Sequence, residues 1–372
     1  MNILIVQRHY MHYRKQLFDF LKKSTGFNIT VVDTNTTANK FLEGHISLKS
    51  KIRKIPMFGK KYEINYSGVL FKFIDKNCMN YDIIILEGAS NVLNNIFICR
   101  KLKKHKIPYI CWDAGRRVGS KMTPIRVLAQ PFIKSTLKNA VACIAYSSVA
   151  KSYITSLGIP REKIFICQNT LNVSYFDEQL KSISPEKVTA LKQSLGFEDK
   201  KIILYVGALE KRKRVDDLIY AFKQVNNDTY ALLIVGSGDD RQRLELLCKT
   251  LAVHNAHFAG EVIEGVIEYF LICDVFVLPS EGGLAINQAM ICSKPIIASS
   301  ADGTERDLII PGKNGFLFHE GNVDELRKSL ITVLESDSSS LGRYSRHIIN
   351  QFFNENNFTK VFLEVIKYIQ KM

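Results

Sequence analysis

Short apolar runs alternate along the chain with segments of helical period. In the first half, runs such as 82–87 (DIIILE) are followed by segments whose apolar residues recur every three to four positions. Runs that are apolar throughout predict strands buried on both faces of a parallel sheet. The pattern predicts strands at 2–6, 28–32, 82–87, 108–112, 141–146 and 163–167, and helices at 11–23, 66–77, 91–104, 123–138 and 148–157.

The same alternation begins again in the second half. Between the two halves, residues 170–185 have no clear period, and we interpret them as an interdomain linker. The pattern then predicts strands at 201–206, 230–235, 256–259, 274–278, 295–298 and 315–318, and helices at 214–225, 239–252, 263–270, 284–292, 323–335, 341–354 and 357–371.

These elements predict an α/β protein with two doubly wound, Rossmann-like domains. We place the domains at residues 1–175 and 176–356. Ligands of open α/β sheets bind at the carboxyl ends of the strands, so two such domains should face each other across a ligand-binding cleft.

Composition agrees with this class and excludes several others. The chain has 372 residues, 46% hydrophobic and 23% charged, which suits about two globular domains and argues against a disordered or fibrous chain. No apolar run approaches the ~18–20 residues of a membrane-spanning helix. The start, MNILIVQRHY, lacks the features of a signal peptide, and the eight cysteines are scattered without a CxxC pair. We therefore expect a cytoplasmic protein without a disulfide framework or a cysteine metal site.

Charge is unevenly distributed between the halves. Residues 1–175 contain 28 Lys and Arg and 9 Asp and Glu, a net +19, and the remainder contains 51 − 28 = 23 basic and 36 − 9 = 27 acidic residues, a net −4. A basic half predicts an anionic partner: nucleic acid, anionic lipid or a phosphorylated substrate. Each basic cluster taken alone could also be an ordinary solvated face.

The sharpest chemical motif follows the predicted strand 274–278. Glu281 lies in the strand-to-helix loop, and Gly282 and Gly283 allow a ligand to approach the backbone. The helix start after Leu284 offers free N–H groups to a diphosphate, and Gln288 follows one helical turn later. An ordinary loop with glycines for turn geometry would explain the same spacing.

Two further loops have a related construction. After the strand 201–206, Gly207 precedes four consecutive basic residues, Lys211 to Arg214, which could neutralise a leaving diphosphate in place of a metal ion. After the strand 230–235 comes Gly236-Ser237-Gly238, a GxG motif that is weak evidence by itself.

These residues carry a resemblance to a known family. The second half resembles the donor-binding domain of glycosyltransferase family 4, retaining enzymes of the GT-B fold that use nucleotide-activated sugars. The matching stretches are VGALEKRKRVDDLIYAF (206–222), LLIVGSGDDRQRLE (232–245), HFAGEV (257–262), DVFVLPSEGGLAINQAMICSKPIIAS (274–299) and DGTERDLIIPGKNGFLF (302–318). The first half matches more loosely, and YSSVAKSYITSLGIPREKIFICQNTLN (146–172) resembles a region of bacterial cell-surface polysaccharide glycosyltransferases. The resemblance also implies that the final helix, 357–371, packs back on the first domain.

The resemblance assigns roles to particular residues. Lys213 matches the lysine that contacts the donor diphosphate, and Glu281 resembles the first glutamate of a paired motif that contacts the transferred sugar. By the same resemblance, Glu281, Lys213 and Asp113 are the expected catalytic residues. The donor-binding residues it implies are Gly207, Arg212, Lys213, Gly236, Val262, Glu281, Gly282, Gly283, Leu284, Gln288 and Glu305.

The sequence departs from the family pattern at three places. The second glutamate of the motif, which accepts hydrogen bonds from ribose hydroxyls, is Gln288, and the spacing from Glu281 is one residue shorter. The arginine that usually follows the glycine of the first loop is Ala208. Where the family often has a histidine near the sugar, the turn WDAGRR (112–117) offers Asp113 and Ala114.

The acceptor half is expected to use basic residues that follow its strands. We expect Arg8, His9 and His12 to line the cleft after the first strand, and Arg116 and Arg117 to hold an acceptor phosphate. The predicted helix 123–138 carries Lys134 and Lys138 beside apolar residues, which suits a helix at an anionic membrane surface.

The sequence therefore predicts a retaining hexosyltransferase. The donor is expected to be a nucleotide diphosphate sugar, most simply a UDP-sugar, and the acceptor a lipid-linked or cell-envelope glycan at the inner face of the membrane. No DxD triplet follows a strand, so we expect no metal ion and no other cofactor. Two alternatives remain open: another GT-B enzyme such as a sugar-nucleotide epimerase, and a basic nucleic-acid-binding protein, although no nucleic-acid-reading motif is present.

Overall fold

The chain forms two compact units. A computed structural model describes residues 1–8, 10, 12–34, 45–48, 51–57, 60–88, 91–120, 122–225 and 228–371, with the backbone alone for residues 12, 13, 51–57 and 60–65. Unit 1 consists of Met1–Asn169 and Glu355–Met372, and unit 2 of Thr170–Asn354. The boundary thus lies after Asn169 rather than after residue 175.

Unit 1 is built on a parallel sheet of seven strands. The nine strands of the described part of unit 1 are β1 Asn2–Gln7, β2 Asn28–Asp33, β3 His45–Ser47, β4 Lys51–Met57, β5 Lys60–Tyr66, β6 Ile83–Glu87, β7 Tyr109–Asp113, β8 Ala142–Ala145 and β9 Ile164–Ile166. The sheet order is β3-β2-β1-β6-β7-β8-β9, and all its pairings are parallel. β4 and β5 form a separate antiparallel hairpin, in a region where the sequence analysis assigns no element.

Helices cover both faces of this sheet. They are α1 His12–Thr25, α2 Gly68–Asn77, α3 Val92–Lys104, α4 Pro124–Asn139, α5 Ser148–Ser156 and, from the far end of the chain, α15 Glu355–Gln370. Alternate strand residues enter two cores, as the period of two requires: Leu4 packs on the side of α2–α5, and Ile5 on the side of α1 and α15. Phe358 and Phe362 of α15 complete the second core.

Unit 2 repeats the architecture with six parallel strands. They are β10 Lys201–Val206, β11 Tyr230–Val235, β12 Ala256–Gly260, β13 Val275–Leu278, β14 Ile296–Ser299 and β15 Gly315–Phe318, in the order β12-β11-β10-β13-β14-β15. Its helices are α6 Val173–Ser182, α7 Pro185–Ser194, α8 Val215–Val225, α9 Arg241–Thr250, α10 Val266–Ile272, α11 Ala285–Ile291, α12 Glu305–Leu308, α13 Val323–Glu335 and α14 Ser338–Phe352. The predicted fold class, α/β with two Rossmann-like parallel-sheet domains, is confirmed.

The predicted linker at 170–185 is wrong. These residues form α6 and the start of α7. The Asn172 side chain accepts a hydrogen bond from the Tyr175 N–H, and the Ser184 side chain accepts one from the Lys187 N–H. The polar residues and Pro185 that suggest a linker are therefore the caps and first turn of two helices, positions where such residues are favoured.

Within the described ranges, no helix combines the length and apolar content that crossing a bilayer requires.

Candidate active site

Two loops of unit 2 meet at the carboxyl edge of its sheet. β10 and β13 are neighbours in the sheet, with Ile203 opposite Val275 and Leu204 opposite Phe276. Because both strands run in the same direction, the loops that follow them, 207–214 and 279–284, leave the sheet side by side. These are the two loops in which the sequence predicts the donor site.

The loop after β10 is a tight basic turn. Lys211–Lys213 form one turn of 3-10 helix, and Arg214 then adopts a left-handed conformation with φ 55° before α8 begins. A positive φ is uncommon for a residue with a Cβ atom. The Arg214 Nε donates to Asp217 Oδ2 at 2.5 Å, so the first turn of α8 holds this arginine in place. Arg214 therefore fixes the turn that presents Arg212 and Lys213.

Arg212 and Lys213 both bind the loop after β13. The Arg212 Nη1 donates to Glu281 Oε1 at 2.5 Å, and its Nε donates to Glu210 Oε2 at 2.5 Å. The Lys213 Nζ donates to the carbonyl oxygen of Glu281 at 2.8 Å. The structure thus brings together the lysine, the arginine and the glutamate that the sequence assigns to one site.

The environment of Lys213 lowers the pKa of its ammonium group. Burial lowers the pKa of Lys213 below the ordinary lysine value, and the positive charge of Arg212 lowers it further. The carboxylates of Glu281, Glu210 and Asp302 act in the opposite direction. An anionic ligand beside this ammonium would restore the charged form, because a nearby negative charge favours it.

The glycines of the second loop differ in their surroundings. A Cβ atom on Gly282 would lie 2.3 Å from Leu278 Cδ2, whereas a Cβ atom on Gly283 would meet nothing within 4 Å. Gly282 is therefore required for packing against the end of β13, and Gly283 leaves open space beside the backbone. α11 begins at Ala285 without a side-chain cap at Leu284, and Gln288 is half-buried within it.

Gly236 allows the loops after β10 and β11 to lie close together. Its φ is 144°, and a Cβ atom there would lie 1.9 Å from the carbonyl oxygen of Gly207. Gly207 N donates to Val235 O at 3.0 Å, and Leu209 N donates to Ser237 O at 2.8 Å. The GxG motif after β11 therefore lets the β10 and β11 loops continue the sheet pairing. Val262 is half-buried in the loop after β12, at the sheet edge remote from β13.

Glu305 lies inside the protein rather than on a ligand-facing surface. It is 1% exposed, and its Oε2 accepts the Gly303 N–H at 2.9 Å. Burial raises the pKa of Glu305 to about 8, and the neighbouring carboxylate of Asp302 adds to this effect. Its donor contact stays a prediction; in the structure its side chain holds the loop 302–304 by accepting backbone hydrogen bonds.

Both loops lie in a region of the chain that is similar to known glycosyltransferases. Residues 187–350, which include both loops, match the family model of glycosyl transferases group 1. An uncharacterized glycosyltransferase of Methanocaldococcus jannaschii is 27% identical over 307 residues, 78% of this chain and 76% of the relative. The chain is a glycosyltransferase.

Solved structures identify the fold as GT-B. HepE of Anabaena in complex with UDP superposes with a TM-score of 0.79 at 18% identity, covering 99% of this chain and 100% of HepE. A lipopolysaccharide 1,6-galactosyltransferase of Salmonella typhimurium is 22% identical, over 74% of this chain and 75% of that enzyme. The predicted enzyme class and the predicted GT-B fold are confirmed.

In unit 1 of the glycosyltransferase, the side chain of Asp113 is enclosed. It is 2% exposed, and its Oδ1 accepts the Gly115 N–H at 2.6 Å. A Cβ atom on Gly88 would lie 1.9 Å from Asp113 Oδ2, so the chain passes directly over the carboxylate. The catalytic role of Asp113 stays a prediction; in the structure its enclosed side chain organises the turn that carries Arg116.

The predicted acceptor residues of the glycosyltransferase have different surroundings. Arg8 is half-exposed, and its Nε donates to Glu87 Oε1 at 3.0 Å. Arg116 is half-buried and bonds Ser120, so it closes its own turn, and Arg117 is also half-buried. His9 lies outside the described residues, and for His12 the described backbone begins α1.

Sequence reasoning missed two acidic residues of the donor-side site. Glu210 shares Arg212 with Glu281, and Asp302 lies close enough to Lys213 to influence its pKa. Asp302 follows β14, the strand beside β13, so its position at the carboxyl edge of the sheet is the signal that could have identified it. Among the described residues, no cluster of three His, Cys, Asp or Glu side chains is arranged to hold a metal ion.

Proposed function

We propose that the glycosyltransferase moves a hexose, with retention of anomeric configuration, from a nucleotide diphosphate sugar to a lipid-linked or cell-envelope glycan. UDP is the proposed nucleotide. The observation that carries the proposal is the junction of the two loops, where the Lys213 ammonium reaches the Glu281 carbonyl and Arg212 reaches the Glu281 carboxylate. Two cations and a carboxylate at one backbone junction match the needs of a diphosphate joined to a polyhydroxylated sugar.

The chemistry assigned to this junction is electrostatic. The bond between the anomeric carbon and the diphosphate oxygen breaks, and the acceptor oxygen bonds to the same face of that carbon. The acceptor proton passes to the leaving diphosphate. Lys213 and Arg212 stabilise the charge on that leaving group. Electrostatic stabilisation of this kind is the largest single contribution to the rate enhancement of many enzymes. We propose that the two residues supply it without a metal ion.

Donor binding must then rearrange Arg212. Two carboxylates, Glu210 and Glu281, share its guanidinium in the structure. A diphosphate that takes over one face of the guanidinium would free the Glu281 carboxylate to accept hydrogen bonds from sugar hydroxyls. Exchange of one anion for another lets the arginine remain paired throughout.

The acceptor and location are proposed from charge and from relatives. The first 175 residues carry a net +19, which suits an acceptor presented at an anionic membrane surface. The Salmonella relative is named for lipopolysaccharide, a cell-envelope glycan. HepE has been solved with UDP-glucose, which supports a UDP-hexose donor. We therefore propose peripheral association with the inner face of the cell membrane.

A thermal-shift screen against a panel of nucleotide sugars tests the donor assignment. A ligand at 100 times its Kd stabilises the native state by about 2.7 kcal/mol, or about 5–10 °C for a domain of this size. We expect UDP-hexoses to produce this shift and nucleoside monophosphates to fall well short. If no nucleotide sugar shifts the transition, the proposed donor site is wrong.

Product analysis tests the reaction itself. Proton NMR of the first-formed product should show the anomeric configuration of the donor, and activity should survive chelation by EDTA. Release of free UDP together with a new glycoside indicates transfer, whereas a rearranged nucleotide sugar would indicate an epimerase. An inverted product would refute the retaining mechanism.

A further inference from the structure

Unit 1 carries a groove between α3 and α4 that the donor site does not explain. Its volume is about 660 Å³. Ile96, Leu102 and Phe132 contribute an apolar wall, and three cations, Arg100, Lys103 and Lys106, lie along it. An apolar cavity lined by cations suits a ligand that is itself part apolar and part anionic.

Little local negative charge opposes these cations. Residues 88–161 contain thirteen Lys and Arg and one acidic residue, Asp113, which is buried. α3 and α4 contain no Asp or Glu. In α3, Lys101 pairs with Asp75 of α2, whereas within the described ranges Arg100, Lys103 and Lys106 form no ion pair. The groove cations are therefore available to an external anion.

Two exposed apolar side chains lie on the groove side of α4. Phe132 lines the groove and is 48% exposed. Leu128, one helical turn before Phe132 on the same face of the helix, is 59% exposed. Large apolar side chains next to an excess of cations are typical of surfaces that enter the headgroup region of a bilayer.

We propose that the α3–α4 face docks on anionic phospholipid, with a headgroup phosphate at the groove cations and the adjoining acyl region against the apolar wall. This inference deepens the membrane part of the proposed function. The apolar residues decide the choice of partner, since Leu128 and Phe132 have no evident use in binding a nucleic-acid backbone.

Vesicle co-sedimentation with the full chain tests the proposal. We expect binding to phosphatidylcholine vesicles that contain phosphatidylglycerol and little binding to phosphatidylcholine alone. Each surface cation is worth about 1 kcal/mol, so R100Q/K103Q should weaken partitioning about 10–30-fold. K223Q/K249Q removes two cations that are also exposed, from unit 2, and should leave partitioning nearly unchanged.

A second pair of variants tests the apolar contact. Leu128→Ser should weaken binding to anionic vesicles several-fold, whereas Leu246→Ser, at a leucine 63% exposed on α9 of unit 2, should not. Equal effects of the paired variants would overturn the proposal, because they would indicate attraction by net charge alone or a different docking face. Failure to bind anionic vesicles would overturn it too, and so would preferential binding to DNA or RNA.

A fluorophore on an introduced cysteine locates the contact, in a Cys99→Ser background because Cys99 is half-buried in the groove. Ser135 lines the groove and is exposed, and Thr250 is an exposed control on α9. Nitroxide-labelled lipids should quench the fluorophore at Ser135→Cys and not at Thr250→Cys, and the reverse result would place the docking face elsewhere. UDP-sugar binding by each variant, measured separately, reports on unit 2. Loss of nucleotide binding would refute the proposed function, while the vesicle results alone decide the lipid site.

Discussion

Replacing Lys213 with methionine removes one half-buried positive charge and keeps a side chain of similar length. Among the described residues, the ammonium donates one hydrogen bond, to the Glu281 carbonyl. Burial already disfavours its charged form. The loss should therefore change the free energy of unfolding by no more than about 1 kcal/mol, the net value of a typical hydrogen bond.

The effect on catalysis should be much larger. A unit charge about 4 Å from a phosphate charge contributes about 4 kcal/mol at an effective dielectric constant near 20. Removing one preorganised group that stabilises transition-state charge typically lowers the rate by about 10²–10³-fold. We therefore expect Lys213→Met to reduce kcat/KM for transfer by a factor on the order of 10²–10³.

Steady-state transfer kinetics and urea unfolding measure the two effects. Lys211→Met is the matched control, because Lys211 is an exposed lysine on the same turn and the charge change is identical. Its kcat/KM should stay within about threefold of the parent enzyme, as expected for a screened surface charge. Near-normal turnover by Lys213→Met, or an equal loss in Lys211→Met, would refute the assignment of Lys213 to the diphosphate.

Three further predictions address residues beside this junction. Gln288→Glu should keep or tighten UDP binding in calorimetry, since a carboxylate accepts ribose hydrogen bonds more strongly; a tenfold weakening would indicate repulsion by the diphosphate or Glu281. The pKa of Glu305, raised to about 8, makes the native state bind more protons than the unfolded state between about pH 4.5 and 8, so stability falls as pH rises. Glu305→Gln should therefore gain about 2–4 kcal/mol relative to the parent between pH 5 and pH 8 in urea unfolding; a pH-independent difference would contradict the buried-carboxylate explanation. Gly236→Ala should destabilise the fold by several kcal/mol, because its Cβ would overlap the Gly207 carbonyl, whereas Gly283→Ala should leave the thermal transition almost unchanged; equal transitions would refute the loop contact.

The sequence predicted most of the fold because its strands are apolar on both faces. Runs such as VFVL in β13 predict buried strands, and the regular spacing of apolar residues in the segments between them predicts the helices. The hairpin β4–β5 escaped prediction because charged residues and Pro56 interrupt its alternation, and its two strands belong to neither large sheet. Short polar helices such as α7, in which no residue is buried, carry too weak a hydrophobic pattern to be recognised.

Part of the candidate site could be predicted because the apolar strands that lead into it could be recognised. Loops at the carboxyl ends of parallel strands could be located from the strands alone. This placed Lys213 and Glu281 in one site, and in the structure the two residues are hydrogen-bonded. Burial of individual loop residues could not be predicted, because it depends on which backbone passes nearby. Gly88 passes over Asp113, and Gly207 lies against Gly236; neither approach leaves a local pattern in the sequence.

The packing of α15 in unit 1 has a consequence for folding during synthesis on the ribosome. Domains generally fold as units, in the order in which they are synthesised. Here Phe358, Phe362, Val365 and Ile366 belong to the core beside α1, yet they are translated after all of unit 2. Until α15 has been synthesised, one face of the sheet in unit 1, which includes Ile3 and Ile5, therefore lacks the helix that completes its core. Unit 2, whose residues are contiguous, can complete its own core first, so the order of folding is expected to reverse the order of translation.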